Sequence, residues 1–124
     1  MTRCKKIFLS GLVLGIFGLT HCGGKEGLEI GRENPDQEIQ KCLALSKKKV
    51  YSKAVECLEI FKSRFPQTEW GDEAELKIAD THFMEHQYLL AAETYLAFAK
   101  MHPSHRQIDY ALFRAGLSYL RESP

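Results

Sequence analysis

In a chain of 124 residues, the side chains able to bind a metal or form a covalent bond are chiefly five His and four Cys. His82 and His86 stand four apart, so on one helix both imidazoles would project from the same face at a spacing that can hold a metal. No third ligand stands at a convincing distance, and the neighbouring Glu of a zinc protease is missing. The sequence therefore predicts no metal: His82 packs in a core, and His102 and His105 are solvated in a loop. Cys42 and Cys57 lie equally far from a turn near residues 49 and 50, so antiparallel helices would bring them to one level. Two readings stay open, a disulfide formed in an oxidising compartment or two small buried thiols filling core positions. There is no glycine-rich phosphate loop, no nucleophile elbow and no carboxylate pair in a catalytic setting. The expectation is a binding protein rather than an enzyme, with no cofactor.

The elements that must position these residues begin after a targeting segment. Arg3, Lys5 and Lys6 precede an uncharged apolar run over residues 7 to 19, short of the roughly twenty residues that span a bilayer. Residues 1 to 21 read as a secretory signal. Leu19-Thr20-His21-Cys22 resembles a lipobox, in which the Cys sulfur is joined to diacylglycerol and becomes the first residue of the mature chain. Leu19 and Gly23-Gly24 fit that signal, whereas His21 stands where Gly, Ala or Ser is usual. Acyl chains on Cys22 would contribute about 0.8 kcal/mol per buried methylene, enough to hold the protein at a membrane without a spanning helix. Cys4 leaves with the signal, and the Gly-rich, charged residues 22 to 33 read as the lipidated Cys and a flexible tether.

Loss of Arg3, Lys5 and Lys6 with the signal leaves 14 basic residues against 16 acidic ones. A slightly acidic protein lacks the field that displaces counterions from phosphates, so no nucleic acid is expected as partner. The one basic run, Lys47-Lys48-Lys49, suits a helix C-terminus, where orphan carbonyls favour cations.

Residues 34 to 122 carry an internal repeat. A shift of 37 superposes Tyr51 on Tyr88, Ala54 on Ala91, Phe61 on Phe98, Pro66 on Pro103, Asp72 on Asp109 and Ala74 on Ala111. YSKAVECLEIFKSRFP thereby matches YLLAAETYLAFAKMHP, each an amphipathic helix stopped by Pro. Five helices are predicted, over 35–48, 51–65, 70–85, 88–101 and 106–122. The fold class is all-α, a tetratricopeptide-type solenoid of antiparallel helix hairpins. Cys42, Tyr51, Ala54, Leu58 and Pro66 fill that repeat's key positions once, and Ala79, Tyr88, Ala91, Tyr95 and Pro103 fill them again. Leu112, Gly116 and Tyr119 open a third repeat. Small residues are expected where helices approach closely, with Ala54 facing Cys42 and Ala91 facing Ala79.

First helices of stacked repeats line a concave surface. The positions that point there are Glu73, Leu76, Lys77, Asp80 and Phe83 in one repeat and Tyr110, Phe113, Arg114, Leu117 and Leu120 in the next. Lys77 and Arg114 are equivalent and should form a short basic ladder beside apolar side chains, suited to a peptide with an anionic end or free carbonyls. The apolar residues of the last helix spread beyond one stripe, so part of it should stay exposed and dock another protein or a second copy.

HPSHRQIDYALFRAGLSYL, residues 102–120, and FPQTEWGDEAELKIAD, residues 65–80, resemble the repeat junctions of the outer-membrane barrel-assembly lipoprotein family of BamD. The resemblance covers residues 36 to 122 and agrees with the lipobox. That family has about five repeats, against two and a half here. Its N-terminal repeats are associated with unfolded outer-membrane proteins and its C-terminal half with the barrel-inserting partner. The resemblance implies a lipid-anchored scaffold on the periplasmic face of the outer membrane. Its partners would be unfolded outer-membrane protein segments or proteins of the assembly machinery. An adaptor of another envelope machine, in pilus assembly or division-linked remodelling, is the alternative.

Overall fold

The Asn34 side chain accepts a hydrogen bond from the Asp36 N–H at 3.1 Å, and Pro35 occupies the first turn, where a missing N–H costs nothing. The first helix starts there. The structure, a computed structural model, describes residues 34 to 124; the signal, Cys22 and the tether lie outside them. The helices are α1 (Pro35–Lys47), α2 (Tyr51–Arg64), α3 (Glu69–Met84), α4 (Tyr88–Met101) and α5 (Ile108–Glu122). Every boundary falls within two residues of its expected place. Lys49 and His86, equivalent across the repeat, turn the chain between the helices of each hairpin with φ of 61° and 66°. Such left-handed residues satisfy the last carbonyls of the helix before them. Pro66 ends α2, and Gln67, with φ of 56°, leads to Thr68, whose hydroxyl oxygen accepts from the Gly71 N–H at 3.2 Å. Gly71 is required at that junction, because a Cβ there would lie 2.3 Å from the Phe65 carbonyl oxygen.

Packing follows chain order, α1 on α2 and α3, then α3 on α4 and α4 on α5, the arrangement of a helical-repeat solenoid. One core cluster joins Ile39, Cys42, Cys57, Leu58 and Phe61 to Ala74 and Ile78 of α3. The next joins Leu76, Ala79, Ala91, Tyr95 and Phe98 to Ala111 and Ala115 of α5. Each repeat thus closes its own hairpin and is roofed by the helix that follows. Ala54 and Ala91 are fully buried, as the small-residue rule requires.

The thiols are joined in a Cys42–Cys57 disulfide with Cα atoms 5.4 Å apart, so of the two readings left open the bridge holds. Five expectations are corrected. Leu76 belongs to the hairpin core, 1% exposed, instead of the concave surface, because the α3 face it occupies lies beneath α4. His82 is half-buried outside the core, its Nδ1 2.9 Å from the Gln87 side-chain oxygen. Since α3 ends at Met84, His86 does not continue that helical face and pairs instead with the Tyr88 hydroxyl at 2.6 Å. His102 and His105 are not free in solvent: His102 stacks on Phe98 and lies 3.4 Å from Glu75 and 3.5 Å from Asp72. Gly116 meets no close neighbour, since a Cβ on it would touch nothing within 4 Å.

Candidate functional site

The first helices of the three repeats, α1, α3 and α5, border a cavity of about 270 Å³. Leu43, Ser46 and Lys47 line it from α1, Lys77, Asp80, Thr81 and Met84 from α3, and Tyr110 and Arg114 from α5. The 37-residue period explains the alignment, since Lys77 and Arg114 hold one repeat position and Leu43 and Asp80 another. On the α1–α3 side, the Thr81 hydroxyl donates to the Lys77 carbonyl at 2.7 Å, so the Ser46 hydroxyl, 3.0 Å away, donates to Thr81. This buried pair ties the two walls together.

Asp80 organises the opposite side. Its carboxylate accepts hydrogen bonds from the Tyr95 hydroxyl and, at 2.5 Å, from the Tyr110 hydroxyl. Arg114 Nη2 is 3.7 Å and Lys77 Nζ 3.5 Å from the same side chain. The Arg114 Nε–H donates to the Tyr95 oxygen at 3.1 Å. Its guanidinium carbon lies 3.9 Å from the centre of the Phe83 ring, a cation–π contact. Two cations therefore share one carboxylate, leaving a net positive wall. The equivalent basic residues are both drawn to Asp80 and do not stand as a bare ladder.

Burial, then the hydrogen bond and charge of Asp80, raise the Tyr95 phenol far above its ordinary range. The same causes in the same order push Tyr110 up to about 12. Burial works against the Arg114 charge, but Tyr95, Tyr110 and Asp80 outweigh it and raise its pKa. A phenol whose folded pKa is raised contributes stability that is whole below the ordinary value of 10.0 and is lost as pH climbs through about 12. In an alkaline titration followed by phenolate absorbance, two of the five tyrosines should ionise late, and Tyr110→Phe should remove one late step. Ionisation of Tyr95 and Tyr110 near the ordinary phenol value would contradict this network.

Of the residues expected at the site, the structure gathers Lys77, Asp80, Tyr110 and Arg114 at the cavity and sets Phe83 against Arg114. Phe113, Leu117 and Leu120 are not among the cavity's lining, and Phe113 and Leu120 are strongly exposed. Tyr95 was missed. Its place at the aromatic position of the second repeat marked it as packing, and only the fold shows its hydroxyl reaching Asp80.

Helix hairpins stacked at a fixed period, with a groove bordered by the first helix of each, define a tetratricopeptide-type repeat protein. Residues 33–124 match the family model YfiO, described as outer membrane lipoprotein, and the chain belongs to that family. It is similar to the outer membrane protein assembly factor BamD of Pasteurella multocida (strain Pm70), at 26% identity over 108 residues, 86% of this chain and 40% of that protein. It is also similar to the factor of the same name from Neisseria meningitidis serogroup B (strain ATCC BAA-335 / MC58), at 32% identity over 72 residues, 58% of this chain and 27% of the relative. The chain thus spans well under half the length of these relatives, and the family resemblance read from the repeat junctions is borne out.

Proposed function

We propose that this chain is a membrane-anchored periplasmic scaffold in outer-membrane protein assembly. Its concave groove holds peptide segments of unfolded outer-membrane proteins or of the assembly machinery, and it binds without catalysing. The observation that carries this reading is the cavity between α1, α3 and α5, where Leu43 and Met84 offer apolar contact beside two cations that share one carboxylate. Apolar anchors with a net positive wall suit a chain segment with unpaired carbonyls or an anionic end. The Cys42–Cys57 bridge supports an oxidising compartment. Acylation of Cys22 would supply the anchor and residues 23 to 33 the tether.

The test uses fluorescent peptides from the terminal segments of outer-membrane barrel proteins. Lys77→Ala combined with Met84→Ala, which removes one cation from Asp80 but leaves Tyr95, Tyr110 and Arg114 on it, is expected to weaken binding about tenfold, or about 1.4 kcal/mol, with helicity unchanged. Equal binding by the double variant would move the site elsewhere. Co-isolation from solubilised envelopes checks the cellular setting: recovery of a barrel-inserting protein supports assembly, and recovery of pilus or septal proteins in its place overturns it.

A further inference from the structure

The cavity between α1, α3 and α5 reaches the end of the array at which the hairpins turn, since Lys47 in the last turn of α1 and Met84, the last residue of α3, both line it. Beyond Lys47 the chain continues as Lys48 and Lys49, so a row of lysines runs from the cavity rim onto the turn between α1 and α2. All three are exposed, and among the described residues no carboxylate engages their ammonium groups.

The fold does not ask for them. A shift of 37 residues puts Met84, Glu85 and His86 at the same places in the second hairpin, and the two turns share one backbone. Lys48 caps α1 at φ -80° and ψ 4°, Glu85 caps α3 at φ -78° and ψ 1°, and Lys49 and His86 are both left-handed. A helix C-terminus favours cations, yet α3 ends in the same geometry with an acid at its cap. The lysine run is therefore surplus to the turn, and its adjacent ammonium groups repel one another until an anion joins them.

Two kinds of anion could meet that row, an acidic chain segment or a lipid surface. The end of the array as a whole has mixed charge, because Glu85 caps α3 and Glu122 shares a surface depression with His86 and Gln87. A flat anionic surface would face those carboxylates together with the lysines, whereas a narrow chain leaving the cavity past Lys47 follows the lysines. Inside the groove Lys77 and Arg114 already share Asp80, so the unshared positive charge stands on the turn. We propose that the peptide held in the groove carries an acidic stretch that leaves the cavity past Lys47 and pairs with Lys48 and Lys49. This rests on the reading of the groove as a peptide site and adds the charge of the segment beside the apolar anchor.

The probes are the fluorescent barrel-protein peptides of the groove test with three Glu or three Ser added at one end. Each is made in an N-terminal and a C-terminal version and bound to the full chain in neutral detergent. An exposed ion pair contributes a factor of about two, so one Glu version should bind about tenfold tighter than its Ser counterpart. The gain should vanish between about 0.1 M and about 1 M salt, as the screening length falls from about 10 Å to about 3 Å. Lys48→Glu with Lys49→His gives the first turn the residues of the second, which that backbone already holds. It should erase the gain and leave the Ser peptides at wild-type affinity. Ser peptides that bind while neither Glu version gains would overturn the acidic stretch, as would a gain that survives in the double variant. Failure of every peptide to bind would remove the groove reading, and this one with it. Phosphatidylglycerol vesicles that abolish the gain, where phosphatidylcholine vesicles do not, would give the turn to lipid headgroups instead.

Discussion

Cys57→Ala should destabilise the helical array by about 3 kcal/mol, because the bridge it removes closes a loop of 15 residues and such a loop constrains the unfolded chain by about that much. A domain of this size has roughly 5 to 15 kcal/mol in total, so the loss takes a large share. It falls on the first hairpin, whose cluster contains both sulfurs. Urea unfolding of the oxidised protein, the reduced protein and the variant measures it, with the two bridge-free forms expected to agree. A shift below about 1 kcal/mol would show that packing alone holds α1 to α2. The proposed peptide binding in the groove should weaken as well, since Leu43 and Ser46 reach the cavity from α1.

Asp80→Ala should cost about 2 to 4 kcal/mol, the range for leaving a part-buried charge and its hydrogen-bond donors without their acceptor. Two phenols and Arg114 converge on this carboxylate, and the Asp80 and Arg114 side chains are only 15% and 19% exposed. Asp80→Asn keeps an oxygen for the phenols and should lose less. Arg114→Met in the Asp80→Ala background should recover part of the loss, because an apolar side chain over Phe83 suits the site better than an unpaired cation. Thermal and urea unfolding of the single and double variants form the cycle that checks this. A near-wild-type Asp80→Ala would mean that solvent already serves Tyr95, Tyr110 and Arg114.

Much of the architecture was readable because it rests on local rules. Asn34-Pro35 opens α1, Pro66 closes α2, and the 37-residue period carries each pattern from one hairpin to the next. The groove was readable at Lys77, Asp80, Tyr110 and Arg114, which share the helix faces that the period aligns. What escaped depended on the rotation of each helix against its neighbours. Leu76 is one residue from Lys77, yet that step of about 100° takes it from the groove to the hairpin core. Tyr95 read as packing because nothing in its spacing reveals where a phenol oxygen ends. His102 and His105 looked like loop residues, and only the close junction after Pro103 sets them against Phe98, Asp72 and Glu75. Gly116 followed the rule for a close crossing, but no crossing helix is present among the described residues.

The short span between the two bridged cysteines also governs how sulfur pairs while the chain folds. Contacts run from each helix to its nearest successors, a topology of low contact order that forms quickly. Both thiols belong to the first hairpin, so they meet before the second is needed, and residues 34 to 124 contain no other cysteine. Within that span the pair oxidises without trial pairings or later reshuffling.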